Sequence, residues 1–471
     1  MAPAPVKRYV VGSRRRPHLA HVATVLASHP SARVVTLTPG GRHVVELTEF
    51  GARELAARNP QLVVEEDHRL TPFPMPQLPT VVLADDGVSL QVSVRDAATG
   101  RPIPDVTIFG IGETGAYKAS TNALGQATLY CAEAQLARAI VSPRDGYWSR
   151  VVPDVDIGRS RHLSVDLRRL PLRGAFSWGH RLMGFPRVAS RWRGRGIKIA
   201  IVDSGISSLA RDVRPAGGLN TLHGQDSRLW NVDEEGHGTH CAGVVAALDN
   251  SIGVRGGAPD ALVYSLKVFP EGYLSDLVAA VEWCAANGID VVSMSLGSQA
   301  PSPVLAQVLA DAWSVGITCV AAVGNDSTRV AYPAGFPTVI GVGAIGRFGA
   351  FPPDSAHALR VGGAVDWSGM LFSAGFTNFG PELDIVAPGV AIVSTVPSGY
   401  AAWDGTSMAC PYVAALAALV LERYPRIRTG DGRQPESVRA ILRASAADLG
   451  MPPFLQGYGL PLATQALGVS Y

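Results

Sequence analysis

Three residue types able to work together as a nucleophile and its activating base stand in this chain among small neighbours. Asp203 ends the apolar run IKIAIVD and is followed by SGI. His237 lies in EGHGTHCAG, at the start of a helical pattern, and Ser407 lies in DGTSMACP, just before the apolar run YVAALAALVL. Each has an ordinary reading by itself: an acid capping a turn, a structural histidine, a serine at a helix N-cap. His237 and His240 form an HxxH pair, but the glutamate and four-residue spacing of the usual zinc pattern are missing. Taken together the three fit acyl transfer. A serine hydroxyl is a weak nucleophile until a neutral imidazole can take its proton, and the imidazole needs a buried carboxylate to fix its tautomer and stabilise its cation. The reaction also needs donors for the developing oxyanion. Asn325, in AAVGND at the end of another strand, offers one, and the backbone N–H of Ser407 at a helix N-terminus offers a second.

Such residues need a scaffold that ends several strands at one place. From 175 to 471, apolar strands without polar alternation are separated by helical patterns, as in GIKIAIVDSGI, LSDLVAAVEWCAANG, IDVVSMSLG and ITCVAAVGND. That predicts an α/β region with a mostly parallel sheet buried on both faces, whose ligands bind beyond the carboxyl ends of the strands. Residues 1–76 predict a small α+β unit in the order βαββαβ, closed by a proline-rich tail. Residues 80–170 are short alternating runs between Gly, Asn, Asp and Pro turns, which predicts an all-β sandwich. The pattern DxxTGRPI followed by TNALGQATL resembles sandwiches of the carboxypeptidase-regulatory and collagen-adhesin-repeat type.

With 471 residues, 47% hydrophobic and a net charge of +2, the chain is expected to be globular, with no reason for nucleic acid as a partner. No apolar run is long enough for a membrane span. The five scattered cysteines exclude a complete disulfide framework and suggest reduced thiols. The N-terminus MAPAPVKRYVVGSRRR lacks the apolar centre of a secretory signal, which leads to the expectation of a cytoplasmic enzyme, or one exported without a cleavable signal peptide.

IVDSGI, GHGTHCAG, SMSLG, AAVGN and DGTSMACP, in that order across residues 197–415, resemble the motifs of the subtilisin-like serine peptidases, the subtilases. The resemblance implies a serine endopeptidase cutting extended protein segments, with Asp203 orienting, His237 as base then acid, Ser407 as nucleophile and Asn325 as oxyanion donor. It implies a cleft lined by Ser295, Leu296 and Gly297, which would pair with a peptide by strand addition. Ala322, Val323 and Gly324 would form one wall of a pocket for a large apolar residue. AALDNSIGV resembles the family's calcium loop, with Asp212 and Asn250 side chains and the carbonyls of Leu248, Ile252 and Val254 as oxygen ligands. Residues 347–372 are longer than in compact relatives, with no evident purpose.

The βαββαβ unit ending VVEEDH resembles the inhibitor-like prodomain of the same family, an intramolecular partner whose tail lies in the cleft before it is cut. Here that tail includes TPFPMPQLP, and the bond in the expected position is Phe73–Pro74. Proline after a scissile bond crowds attack, so a shift to Arg69–Leu70, Leu70–Thr71 or Met75–Pro76 stands beside a resisting brake or a plain stiff linker. Partners on this reading are protein substrates, the prodomain, and a separate inhibitor or activator. The rival functions are a binding protein on an inactive protease fold and a protease devoted to one regulatory cut.

Overall fold

A computed structural model describes residues 5–13, 19–70, 72, 81, 87–366, 368 and 370–469. Its largest sheet has nine strands. Strands Gly217–Asn220, Leu262–Lys267, Lys198–Asp203, Val291–Met294, Thr318–Ala322 and Val339–Arg347 lie side by side in that order and run parallel. Ile385–Pro388 also pairs in parallel with Val339–Arg347, while Leu371–Ala374 and Val361–Asp366 close one edge antiparallel. Lys198–Asp203 and Val291–Met294 carry almost no exposed residue. Burial on both faces selects such unbroken apolar runs. Helix Thr406–Arg423 is buried from Thr406 to Leu421. It packs beside helix His237–Ala246 and across the central strands. The helix that starts with the serine is therefore a core element of an α/β fold.

Residues 6–66 build a separate antiparallel sheet with strands Arg33–Leu37, His43–Thr48, Val6–Ser13 and Leu62–Glu66 in that order. Helices Leu19–Ser28 and Glu49–Arg58 share its core: Val22, Leu26, Ala52 and Leu55 pack with Tyr9, Val11, Val45 and Leu47. Side chains alternate along a strand, so Val10 points to the other face. There it joins the core of the nine-stranded sheet's unit. Two further sheets occupy residues 88–167. One orders Arg150–Asp156, Gln135–Ser142, Thr107–Ile111 and Ala116–Ser120, and the other His162–Leu167, Val88–Asp96 and Gln126–Cys131. They enclose one apolar core that includes Leu90, Val92, Ile108, Leu129 and Val165. All five cysteines are free and buried. No helix among the described residues is long and apolar enough to cross a membrane.

Candidate active site

Strand Lys198–Asp203 delivers Asp203 to the carboxyl edge of the sheet, where it is 1% exposed. His237 opens helix His237–Ala246. Its Nδ1–H donates to Asp203 Oδ1 at 2.7 Å, because a carboxylate can only accept. The Ser204 N–H donates to the same oxygen at 2.8 Å. Burial disfavours charge on His237, but the carboxylate of Asp203 outweighs it and holds the imidazole pKa above its ordinary value. The arrangement leaves Nε2 as the basic nitrogen.

Two supports of this pair were not legible in the motifs. Buried Asp233 accepts from the N–H groups of Gly236 and Thr239 at 2.8 and 2.9 Å, and from Ser204 Oγ at 2.9 Å. It thus satisfies open donors at the start of the His237 helix. Trp403 stacks on His240 at 4.7 Å and lies nearly parallel to His237 at 6.4 Å. An acid four residues before His237 was visible as a residue type, but only the turn of the chain shows what it holds.

Ser407 lies in the first turn of helix Thr406–Arg423 and is 2% exposed. Cys241 ties it to the other two residues. The Cys241 sulfur is 3.4 Å from the Ser407 carbonyl oxygen, and polar atoms of Asp203, His237 and Cys241 all lie within 4.8 Å of one another. The Ser407 hydroxyl itself donates to the Ser295 carbonyl at 3.3 Å, where the sequence led us to expect His237. A hydroxyl satisfies its proton at the nearest acceptor, and one χ1 rotation redirects it; catalytic contacts commonly tighten only with substrate bound.

Asn325 follows strand Thr318–Ala322 by three residues. Its Oδ1 accepts from the N–H and Oγ1 of Thr406 at 2.9 and 2.8 Å, which identifies the other end of the amide as the donor end. Gly324 has φ 109°, a conformation open to glycine, and its N–H donates to Thr406 Oγ1 at 3.2 Å. Ala322 and Val323 are fully buried. Ser295 and Leu296 follow strand Val291–Met294, and the Ser295 hydroxyl donates to the Ser407 carbonyl at 3.0 Å. Leu296 forms an antiparallel bridge with Pro72. Upstream, Arg69 bridges Tyr273, the Leu70 N–H donates to Gly272 O, and the Leu274 N–H donates to His68 O. Gly297 lies between Leu296 and Ser298, which pairs with Tyr332. Residues 73–80, and with them the Phe73–Pro74 bond, lie outside the described residues.

Asp212 and the loop 248–254 meet away from this cluster. Asp212 accepts from the Asn250 amide at 3.0 Å, from the Val254 N–H at 3.3 Å and from the Tyr400 hydroxyl at 3.2 Å. Its backbone oxygen accepts from Leu248 N–H at 2.8 Å, and Ile252 N–H donates to Asn250 Oδ1 at 2.9 Å. Burial raises the Asp212 pKa.

The profile described as "Subtilase family" matches residues 194–459. The chain is similar to subtilisin DY of Bacillus licheniformis, 38% identical over 281 residues, 58% of this chain and 91% of that protein. It is similar to a subtilisin of Bacillus pumilus, 38% identical over 278 residues, 57% of this chain and 90% of that protein. Subtilisin BL of Lederbergia lenta is 40% identical over 254 residues, 53% of this chain and 85% of that protein. These relatives correct one expectation. A cytoplasmic location does not stand: the similar proteins are subtilisins, which point to extracellular export.

Proposed function

The chain belongs to the subtilase family and is a serine endopeptidase acting on proteins, and from that premise we propose that Asp203, His237 and Ser407 are its triad. The observation that carries this is the 2.7 Å contact between His237 and buried Asp203, joined to Ser407 through Cys241. His237 Nε2 takes the Ser407 proton as Oγ attacks the substrate carbonyl. The oxyanion is held by the Asn325 amide and the Ser407 N–H. His237 then gives the proton to the leaving amine, and water repeats the sequence on the acyl-enzyme with the roles reversed. Ser407→Ala is expected to abolish hydrolysis of an unfolded protein such as casein; retained hydrolysis refutes the assignment.

Ser295, Leu296 and Gly297 are the strand to which substrate adds, with Ala322, Val323 and Gly324 walling the pocket before the cut. The pairing of Pro72 with Leu296 supports this. We read residues 1–76 as an inhibitory prodomain and 80–170 as a β-sandwich accessory domain, followed by the catalytic domain of 175–471. Three contacts support the first assignment. Arg42 pairs with buried Glu282, and Glu65 accepts from Ser302 Oγ and Val304 N–H at 2.9 Å each. Asp67 accepts from Ser275 N–H at 2.8 Å and Ser275 Oγ at 2.9 Å. Two carboxylates thereby cap helices Pro303–Ser314 and Leu274–Ala286. In the sequence the bond expected at the cut is Phe73–Pro74, with proline on its leaving side. That bond resists attack, so the tail restrains the enzyme. Intact mass of wild type beside Ser407→Ala tests this: a whole, inactive wild type supports it, and wild type cut rapidly at 73–74 refutes it.

The calcium loop fits a hard cation. The carboxylate of Asp212 is buried, and its hydrogen-bond partners Asn250, Val254 and Tyr400 are all neutral. Asp212, Asn250 and the carbonyls of Leu248, Ile252 and Val254 would hold calcium, which supplies a structural cross-link and no catalytic step.

A further inference from the structure

Residues 347–372 carry the turn Ala356–Arg360, and from it His357 reaches Asp404, three residues before Ser407. Asp404 Oδ1 accepts from His357 Nδ1 and from the Ala391 N–H, both at 2.7 Å. Its Oδ2 accepts from Arg360 Nε at 3.3 Å. On one side of Asp404 stands Trp403, stacked on His240 and parallel to His237. On the other is Gly405, whose N–H donates to Gly389 O at 2.8 Å, and then Thr406, tied to Asn325. One carboxylate thus fixes the corner between the ring beneath the base and the turn that presents the nucleophile.

The group that holds this corner is in turn held by the two-sheet unit of residues 88–167. The Val151 N–H donates to Asp354 O at 2.7 Å, and the Ala356 N–H donates to Ser149 Oγ at 3.1 Å. Arg150, and Arg168 directly after the unit's last strand, both pair with the Asp354 carboxylate. Trp148 meets the His357 ring edge to face at 5.6 Å. The same unit grips the strand leading to Trp403, through Gly146 N–H to Tyr400 O at 2.7 Å.

We propose that His357 is a positioning residue for the Ser407 turn and that residues 88–167 are a working part of the active enzyme, holding His357 in place. This rests on the triad reading above. A purely stabilising role fits poorly. His357 Nε2 is buried without a partner among the described residues, which is costly. An apolar pair at 357 and 404 would avoid that cost, since well-packed apolar replacements of both partners of a buried pair are often neutral. The feature an apolar residue could not supply is the Nδ1 donor to Asp404.

The test compares His357→Leu with His357→Asn, whose amide nitrogen can stand where Nδ1 does. With a small chromogenic peptide, His357→Leu is expected to lower kcat about tenfold with KM within about twofold of wild type, alongside a lower melting temperature because buried Asp404 loses a donor. His357→Asn is expected to keep kcat within about threefold of wild type. No loss in His357→Leu, or an equal loss in both, overturns the proposal. If His357→Leu fails to fold, the paired substitution Arg150→Ala and Arg168→Ala at the exposed rim decides. It is expected to lower kcat about threefold at constant KM, and an unchanged kcat overturns the proposal. Activity persisting in Ser407→Ala would instead sink the triad reading, a separate failure.

Discussion

Replacing Asp203 by asparagine keeps volume and removes charge, so it isolates what the carboxylate does for His237. The two groups are 2.7 Å apart, and at the effective dielectric of ~20 that suits such sites their attraction when His237 is protonated is roughly 6 kcal/mol. Part of this returns as the Ser204 N–H and water reorient. An asparagine can also select the wrong imidazole tautomer, and the equivalent change in a Ser-His-Asp triad on another fold lowers kcat about 10⁴-fold. We therefore expect kcat to fall by roughly 10³–10⁴ at neutral pH. The pH profile carries a second prediction with a definite sign. Asp203 raises the His237 pKa against the opposing effect of burial. The base must be neutral to act, so in wild type the acid limb of kcat/KM lies above the ordinary histidine value. Without the carboxylate the burial remains, and the acid limb of the residual activity moves to lower pH. The assay is steady-state peptide hydrolysis from acid to neutral pH, with melting temperature confirming the fold. A kcat within tenfold of wild type, or an acid limb that stays or moves upward, refutes the reasoning.

Asn325→Ala should lower kcat by roughly 10²–10³ with little change in KM, the size that loss of the oxyanion-hole asparagine has in subtilisin; an unchanged kcat removes Asn325 from the oxyanion site. Asp67→Ala deletes a helix cap and takes from Arg8, 2.9 Å away, its carboxylate partner. It should weaken the hold of residues 1–76 by about 3 kcal/mol, on the order of a hundredfold. The full chain should then cleave a small peptide faster, and an equal or slower rate contradicts the brake. Removing calcium with a chelator should lower the melting temperature by about 5 °C if the site is held near a hundred times its Kd. Asp212→Ala should show no such response, and a wild type indifferent to chelation speaks against a bound cation.

Much of the site was legible because its chemistry sits at ends of strands, where apolar runs stop at Asp203 and at Ala322. The glycines and small residues flanking His237 and Ser407 mark places where backbone approaches closely, and such places punctuate a sequence visibly. What stayed hidden depends on contacts between distant segments. Asp404 and His357 are 47 residues apart, and Arg150 and Asp354 are 204 apart. No local period encodes such a meeting, so the extra residues 347–372 had no reading until the packing supplied one. The orientation of the Ser407 hydroxyl was also beyond the motifs. Motif order carries the roles of a triad, whereas the rotamer of a single serine follows from the nearest acceptor, here Ser295 O.

The proposed mechanism requires Ser407 to be an activated nucleophile. The most direct measurement is intact mass and peptide mapping after reaction with a fluorophosphonate, for wild type, Ser407→Ala and His237→Ala. The proposed triad predicts one adduct on wild type, mapped to Ser407, none on Ser407→Ala, and sharply slowed labelling of His237→Ala. An adduct at another residue, or casein hydrolysis that survives Ser407→Ala, would contradict it.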